Sequence, residues 1–122
     1  VAHNIKLILP KNDSLARPIV IPYDFDFAGL VDAPYAMPAP QLGTESVRER
    51  VYRGFPRNMA ELQAVITIFK EKKDSIYSLI KNFDLIKSAE REVMIKYLDD
   101  FYRIINNDVL INDYFILNAR TQ

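Results

Sequence analysis

The sequence predicts an α+β fold in which an N-terminal β-hairpin leads through a proline-rich loop into a mainly α-helical remainder. Three observations carry this prediction. Two short aliphatic runs rich in β-branched residues lie before Phe27, separated by a turn composition. Pro34, Pro38 and Pro40 then exclude a long helix. After Pro56 the apolar residues recur at a period of about 3.6, the signature of amphipathic helix.

The first run, Ile5-Lys6-Leu7-Ile8-Leu9, stops at Pro10, which cannot donate to a central ladder, and reads as a strand. Lys11-Asn12-Asp13-Ser14 is a turn composition. Extended character resumes over Pro18-Ile19-Val20-Ile21-Pro22-Tyr23-Asp24-Phe25-Asp26, so the two runs are expected to pair as a hairpin within residues 1–29. Residues 30–57 are expected to be loop plus one short helix. Ser46 and Glu49 have capping-box spacing, which places that helix from Ser46 to about Tyr52, ended by Gly54 and Pro56.

Asn58 with Glu61 gives the next start signal, and Leu62, Val65, Ile66 and Phe69 share one face. Beyond the charged run Lys70-Glu71-Lys72-Lys73-Asp74, the residues Ile76, Tyr77, Ile80 and Phe83 repeat at helical spacing, with a break expected near Asp74. Ser88, followed by Glu90 and Glu92, marks a third start, since a hydroxyl caps free N–H groups and carboxylates suit the positive end of the dipole. Val93, Met94, Tyr97, Leu98, Phe101, Ile104 and Ile105 form its apolar stripe. The aromatic residues Tyr97, Phe101 and Tyr102 are read there as core rather than as a partner-binding face. The tail from Asp108 to Leu117 is apolar without a clean period and is assigned as helix.

A chain of 122 residues with 49% hydrophobic content fits one domain or a domain fragment. Sixteen basic residues balance sixteen acidic ones, so no net charge draws nucleic acid or an anionic membrane over long range. No apolar run reaches the roughly 18 residues of a membrane-spanning helix. With no cysteine, a metal would be held by carboxylates, amide oxygens or the single imidazole of His3, a donor set that favours a hard cation such as Mg²⁺. The chain begins at Val1 without Met, as expected of a mature product or a piece of something longer. Neither a serine-nucleophile signature, a zinc-spaced His/Cys set nor a Walker loop occurs.

In an extended strand Asp24 and Asp26 point to one side, while Phe25 and Phe27 point to the other, toward the core. Two carboxylates on one face repel unless a cation or a proton intervenes. The plainer alternative is an acidic, soluble strand face over ordinary core aromatics. Arg48, Arg50, Arg53 and Arg57 fall within ten positions, and 50, 53 and 57 would share a helical face. Arg48 and Arg50 are therefore candidates for gripping phosphate, the alternative being a solvated face paired with Glu45 and Glu49. His3 is a candidate for metal or substrate, the alternative being a structural or exposed side chain.

Asn4 lies 20 positions before Asp24, with a hairpin between them. This arrangement resembles the end of the catalytic loop in protein-kinase-like folds, and Asp24-Phe25-Asp26-Phe27-Ala28-Gly29 looks like the acidic-aromatic-Gly motif of choline kinases and aminoglycoside phosphotransferases. Three longer stretches, His3–Ile8, Ile21–Ala36 and Val47–Phe55, resemble an uncharacterised family of bacterial proteins distantly similar to the spore-coat CotH kinases. That resemblance covers the first half of the chain and implies part of a kinase-like C-terminal lobe. It implies a Mg²⁺-ATP site with Asn4 and Asp24 as metal ligands and Asp26 as a second acidic ligand or hydrogen-bond partner. The catalytic Asp would precede Asn4 and the nucleotide lobe would lie further upstream, so the expected partner is the upstream part of the same protein. This chain alone is expected to be inactive. Export is implied by the resemblance only. The competing expectation, from another class, is a non-enzymatic α+β binding module whose helical half docks a partner.

Overall fold

A computed structural model describes residues 4–13 and 15–120. Two antiparallel strands, β1 (Ile5–Ile8) and β2 (Ile19–Pro22), form the expected hairpin. Helices follow as α1 (Met59–Lys81), α2 (Ser88–Ile105) and α3 (Asp108–Ile111), the last running into a π-helical turn at Asn112–Leu117. The class is α+β. Among the described residues, no helix is long and apolar enough to cross a membrane.

In the hairpin register, Ile5 faces Pro22, Lys6 faces Ile21, Leu7 faces Val20 and Ile8 faces Ile19. Tyr23 N–H donates to the Asn4 carbonyl at 2.9 Å, which sets the phase of the ladder. Pairs 4/23, 6/21 and 8/19 therefore exchange hydrogen bonds inside the hairpin, while 5/22 and 7/20 turn their main-chain groups outward. Pro22 is tolerated because its missing N–H would have faced away from β1.

Strand β2 ends at Pro22, earlier than the sequence predicts. Asp24 has φ +63°, a left-handed conformation in which strand alternation is lost. The next residues turn back on themselves, with Ala28 N–H donating to the Phe25 carbonyl at 2.8 Å. Phe25 and Phe27 consequently miss the core and are 55% and 54% exposed.

The expected helix from Ser46 to Tyr52 is a single turn. Half of its capping box forms: the Glu49 carboxylate accepts from the N–H groups of Ser46 (2.9 Å) and Glu45 (2.6 Å), while the Ser46 hydroxyl accepts from Arg48 N–H at 3.1 Å in place of Glu49 N–H. One turn fixes several dihedrals for few hydrogen bonds, and Gly54 and Pro56 leave no length over which propagation could repay nucleation. The chain instead runs along α2. The Arg50, Arg53 and Arg57 positions thus share no helical face.

Helix α1 begins where predicted. Asn58 Oδ1 accepts from Glu61 N–H at 2.9 Å, and the Glu61 carboxylate accepts from Asn58 N–H at 3.1 Å. No break occurs near Asp74. The charged run consists mostly of good helix formers with no Gly or Pro, and the row Leu62, Ile66, Tyr77 and Ile80 spans it, with exposed Lys73 in line between Ile66 and Ile80. Lys73 occupies that row by laying its ammonium over the rings of Tyr102 (5.0 Å) and Tyr77 (5.5 Å).

Helix α2 starts one residue earlier than predicted. Lys87 occupies the N-cap position with no side-chain cap, and Ser88 is already helical. Glu90 still reaches back to accept from Lys87 N–H at 3.3 Å. The core joins Leu62 and Ile66 of α1 to Tyr102 and Ile105 of α2 and Ile111 of α3. Ile105 and Ile111 are each 1% exposed. Tyr102 and Phe101 are core as predicted, with Phe101 edge-on to Phe69 at 5.2 Å and Tyr102 hydroxyl donating to the Phe69 carbonyl at 3.0 Å. Asn107 caps α3 by accepting from the N–H groups of Val109 and Leu110. In the π-helical turn, Phe115 and Ile116 both pack on the core.

Candidate functional site

The Asn4 side chain clasps the end of the hairpin. Its Nδ2 donates to the Asp24 carbonyl at 2.5 Å, while its own carbonyl accepts from Tyr23 N–H. These bonds hold Asp24 in its left-handed conformation, which Asp tolerates better than most residues. The turn replaces strand alternation as the device that brings the two acids together, so that the Asp24 and Asp26 carboxyl groups hydrogen-bond to each other.

One proton shared by two carboxyls pushes their acidities apart. The hydrogen bond to Asp26, reinforced by its charge, raises Asp24 above the ordinary 3.8. Asp26 is lowered, first by that same hydrogen bond and then by the Tyr35 hydroxyl, which donates to Asp26 Oδ2 at 3.1 Å. Tyr35 is raised in turn by the adjoining carboxylate. Phe27 packs edge-on to Tyr35 at 6.3 Å and braces this partner.

Asn4, Asp24 and Asp26 are therefore brought together. They supply oxygen donors only, since Asn4 commits its Nδ2 to the Asp24 backbone and retains Oδ1. Oxygen-only donors suit a small hard cation that keeps several of its waters. Among the described residues there is no group of three or more His, Cys, Asp or Glu side chains able to hold a metal, so the pair with Asn4 amounts to part of a coordination sphere. His3 lies outside the described residues.

Arg48 and Arg50 are spent elsewhere. Arg48 pairs with Asp32 at 3.3 Å and donates to the Val93 carbonyl at 3.3 Å. Arg50 donates to the Tyr97 carbonyl. Both guanidinium groups also lie over the Tyr97 ring, at 4.7 Å for Arg48 and 3.7 Å for Arg50. A phosphate at either position would have to displace these partners. Nothing in the sequence singled out Tyr35, and Tyr97, expected in the core stripe of α2, instead carries the two guanidinium groups on its ring.

Gly29 links the acidic turn to this stack. A Cβ there would lie 2.5 Å from Tyr97 Oη, 2.6 Å from the Val47 carbonyl oxygen and 3.0 Å from Arg48 Cα. Only glycine lets the chain leave the turn pressed so closely against α2. Beside it, a cleft of about 720 Å³ opens between residues 30–34 and the start of α2, with Asp32, Arg48 and Glu90 among its lining groups.

No family model, curated protein or solved structure matches this chain.

Proposed function

We propose that Asn4, Asp24 and Asp26 form part of a divalent-cation site, and that the chain contributes it as the C-terminal portion of a kinase-like phosphotransferase. The observation that carries this reading is the hydrogen-bonded Asp24/Asp26 pair. Two exposed carboxyl groups held together with no basic partner among the described residues repel each other as they ionise, and a bound Mg²⁺ would relieve that repulsion. When bound, the cation would neutralise charge on a nucleotide's phosphates. The resemblance of Asp24–Gly29 to the phosphotransferase motif, and the position of Asn4 at the base of the same hairpin, support the assignment. On this reading the catalytic carboxylate is assigned to residues upstream of Asn4.

Titration with Mg²⁺ or Mn²⁺ followed by amide NMR tests it. Millimolar Mg²⁺ is expected to shift the Asp24, Phe25 and Asp26 amides, and Mn²⁺ to broaden them. Asp24→Asn and Asp26→Asn are each expected to abolish the response. Unmoved Asp24 and Asp26 amides would remove the cation site. In a protein that includes the upstream segment, loss of nucleotide binding in Asp24→Ala is expected, and wild-type behaviour of that variant would remove the phosphotransferase assignment and favour a non-enzymatic binding module.

A further inference from the structure

Both faces of the hairpin are open to solvent. Ile5, Leu7, Ile19 and Val20 are 41%, 55%, 62% and 54% exposed, and the strands pack chiefly on each other rather than on the helices. An isolated two-stranded hairpin is marginal in water, and three or more strands are needed for a sheet to stand by itself. The sheet therefore lacks strands, and the ladder phase indicates on which side.

On β2 the outward-facing positions are 18, 20 and 22, and two of these are Pro18 and Pro22. That edge offers Val20 as its single outward donor, and proline at these positions is how natural sheets blunt an edge against pairing. On β1 the outward positions are Ile5 and Leu7, followed in the same phase by Leu9, and each carries an N–H and a C=O. One edge is closed and the other is a strand template.

We infer that β1 pairs edge to edge with β1 of a second copy of this chain, antiparallel across a two-fold axis, giving a four-stranded sheet with β2 on both outer edges. A two-fold interface requires a segment complementary to itself, and β1 meets this condition in one register. Placing Leu7 opposite Leu7 of the second copy sets Ile5 opposite Leu9, so the outward groups of Ile5, Leu7 and Leu9 can all be used. It also sets Lys6 opposite Ile8. Shifting by one pair toward the N-terminus would place the two Lys6 ammonium groups directly opposite each other, and like charges so placed are destabilising. Shifting the other way sets Lys6 opposite Pro10 and leaves Ile5 unused. The side chains on the Leu7 face, namely Ile5, Leu7, Val20 and Pro22, are all apolar, so pairing joins two apolar strips into one continuous face. The blunted β2 edges end the assembly at two copies and prevent a fibre.

Light scattering on the purified chain over a concentration series tests this. A mass twice that of one chain is expected at high micromolar concentration, falling toward one on dilution. Leu7→Pro deletes an outward donor from each copy without removing a hydrogen bond inside the hairpin, and is expected to leave only monomer. Val20→Pro makes the equivalent change on the opposite edge and is expected to leave the dimer intact. Hydrogen exchange supplies a readout independent of folding defects in the variants, with the Ile5 and Leu7 amides slowing as the wild-type concentration rises. A chain that stays monomeric, Ile5 and Leu7 amides that exchange at one rate over the series, or a dimer that survives Leu7→Pro or dissociates in Val20→Pro would each overturn the proposal.

Discussion

Arg50 lies across the face of Tyr97, its guanidinium carbon 3.7 Å from the ring centroid, and donates to the carbonyl of the same residue. A loop residue thereby grips both the side chain and the backbone of α2. The stack holds the segment after the acidic turn against the helical half of the molecule.

Lysine cannot reproduce this grip, because its ammonium is a point charge without a flat surface to stack or a fork of fixed donors. Arg50→Lys is expected to cost about 1 kcal/mol, the scale of a partly desolvated cation–π contact. Urea unfolding checks the value, and an unchanged midpoint would show that the stack contributes nothing to stability.

Gly29→Ala is expected to be more damaging than its single methyl suggests. The added carbon meets the Val47 carbonyl oxygen and the Arg48 backbone, neither of which can swing aside as a side-chain tip would. Overpacking of this kind costs about 1–3 kcal/mol. Thermal unfolding of Gly29→Ala measures it, and pairing it with Tyr97→Phe, which removes the nearest atom, is expected to recover part of the loss.

Ile105 is 1% exposed at the meeting point of the helices. Ile105→Ala is expected to cost about 2–5 kcal/mol through lost transfer energy and a residual cavity. Asn58→Ala removes one side of the capping box that starts α1 and is expected to cost about 1 kcal/mol. Denaturant titrations of the two variants should therefore rank Ile105→Ala well below Asn58→Ala in stability.

The acidic pair predicts opposite responses to pH. Asp24 is raised in the folded chain, so its contribution to stability is present at low pH and is lost as pH rises through its folded pKa. Asp26 is lowered, so its contribution is present above the ordinary 3.8 and is lost as pH falls through its folded pKa. Carboxyl-carbon NMR is expected to resolve two steps on either side of 3.8. In Asp24→Ala the Asp26 step is expected to move up, because the hydrogen bond from Asp24 is the largest cause holding it down. Identical Asp26 titrations in the two proteins would show that the carboxyls do not interact.

The legible features were those written in nearest neighbours. Proline positions and β-branched runs located the hairpin, and Asn58 with Glu61 located the start of α1, because each depends on backbone groups within a few residues. The misplaced break at Asp74 came from reading a charged run as punctuation, when the run holds good helix formers and Lys73, though exposed, lays its ammonium over two aromatic rings. At Ser46 the local signal was present and the Glu49 half of its contacts forms, but a helix also needs length, which Gly54 and Pro56 withhold. The pairing of Asp24 with Asp26 was expected from strand alternation and arises instead from a left-handed residue held by Asn4, a contact across 20 positions. Tyr35 touches Asp26 across 9 positions with no pattern to mark it, and the periodicity that marked Tyr97 as core did not show that Arg50, 47 positions away, would stack on it.

The division between a hairpin packed on itself and a helical half built on short-range contacts also sets how the molecule relaxes. Helices joined by brief connections re-form quickly and open together, whereas a short hairpin outside the core opens by itself and often. A single chain thus keeps two clocks, and the Asn4–Asp24 clasp runs on the faster one. Whatever holds that clasp shut, whether a cation or another strand, would be felt first as a slowing of hairpin opening, before any rise in the melting temperature of the helices.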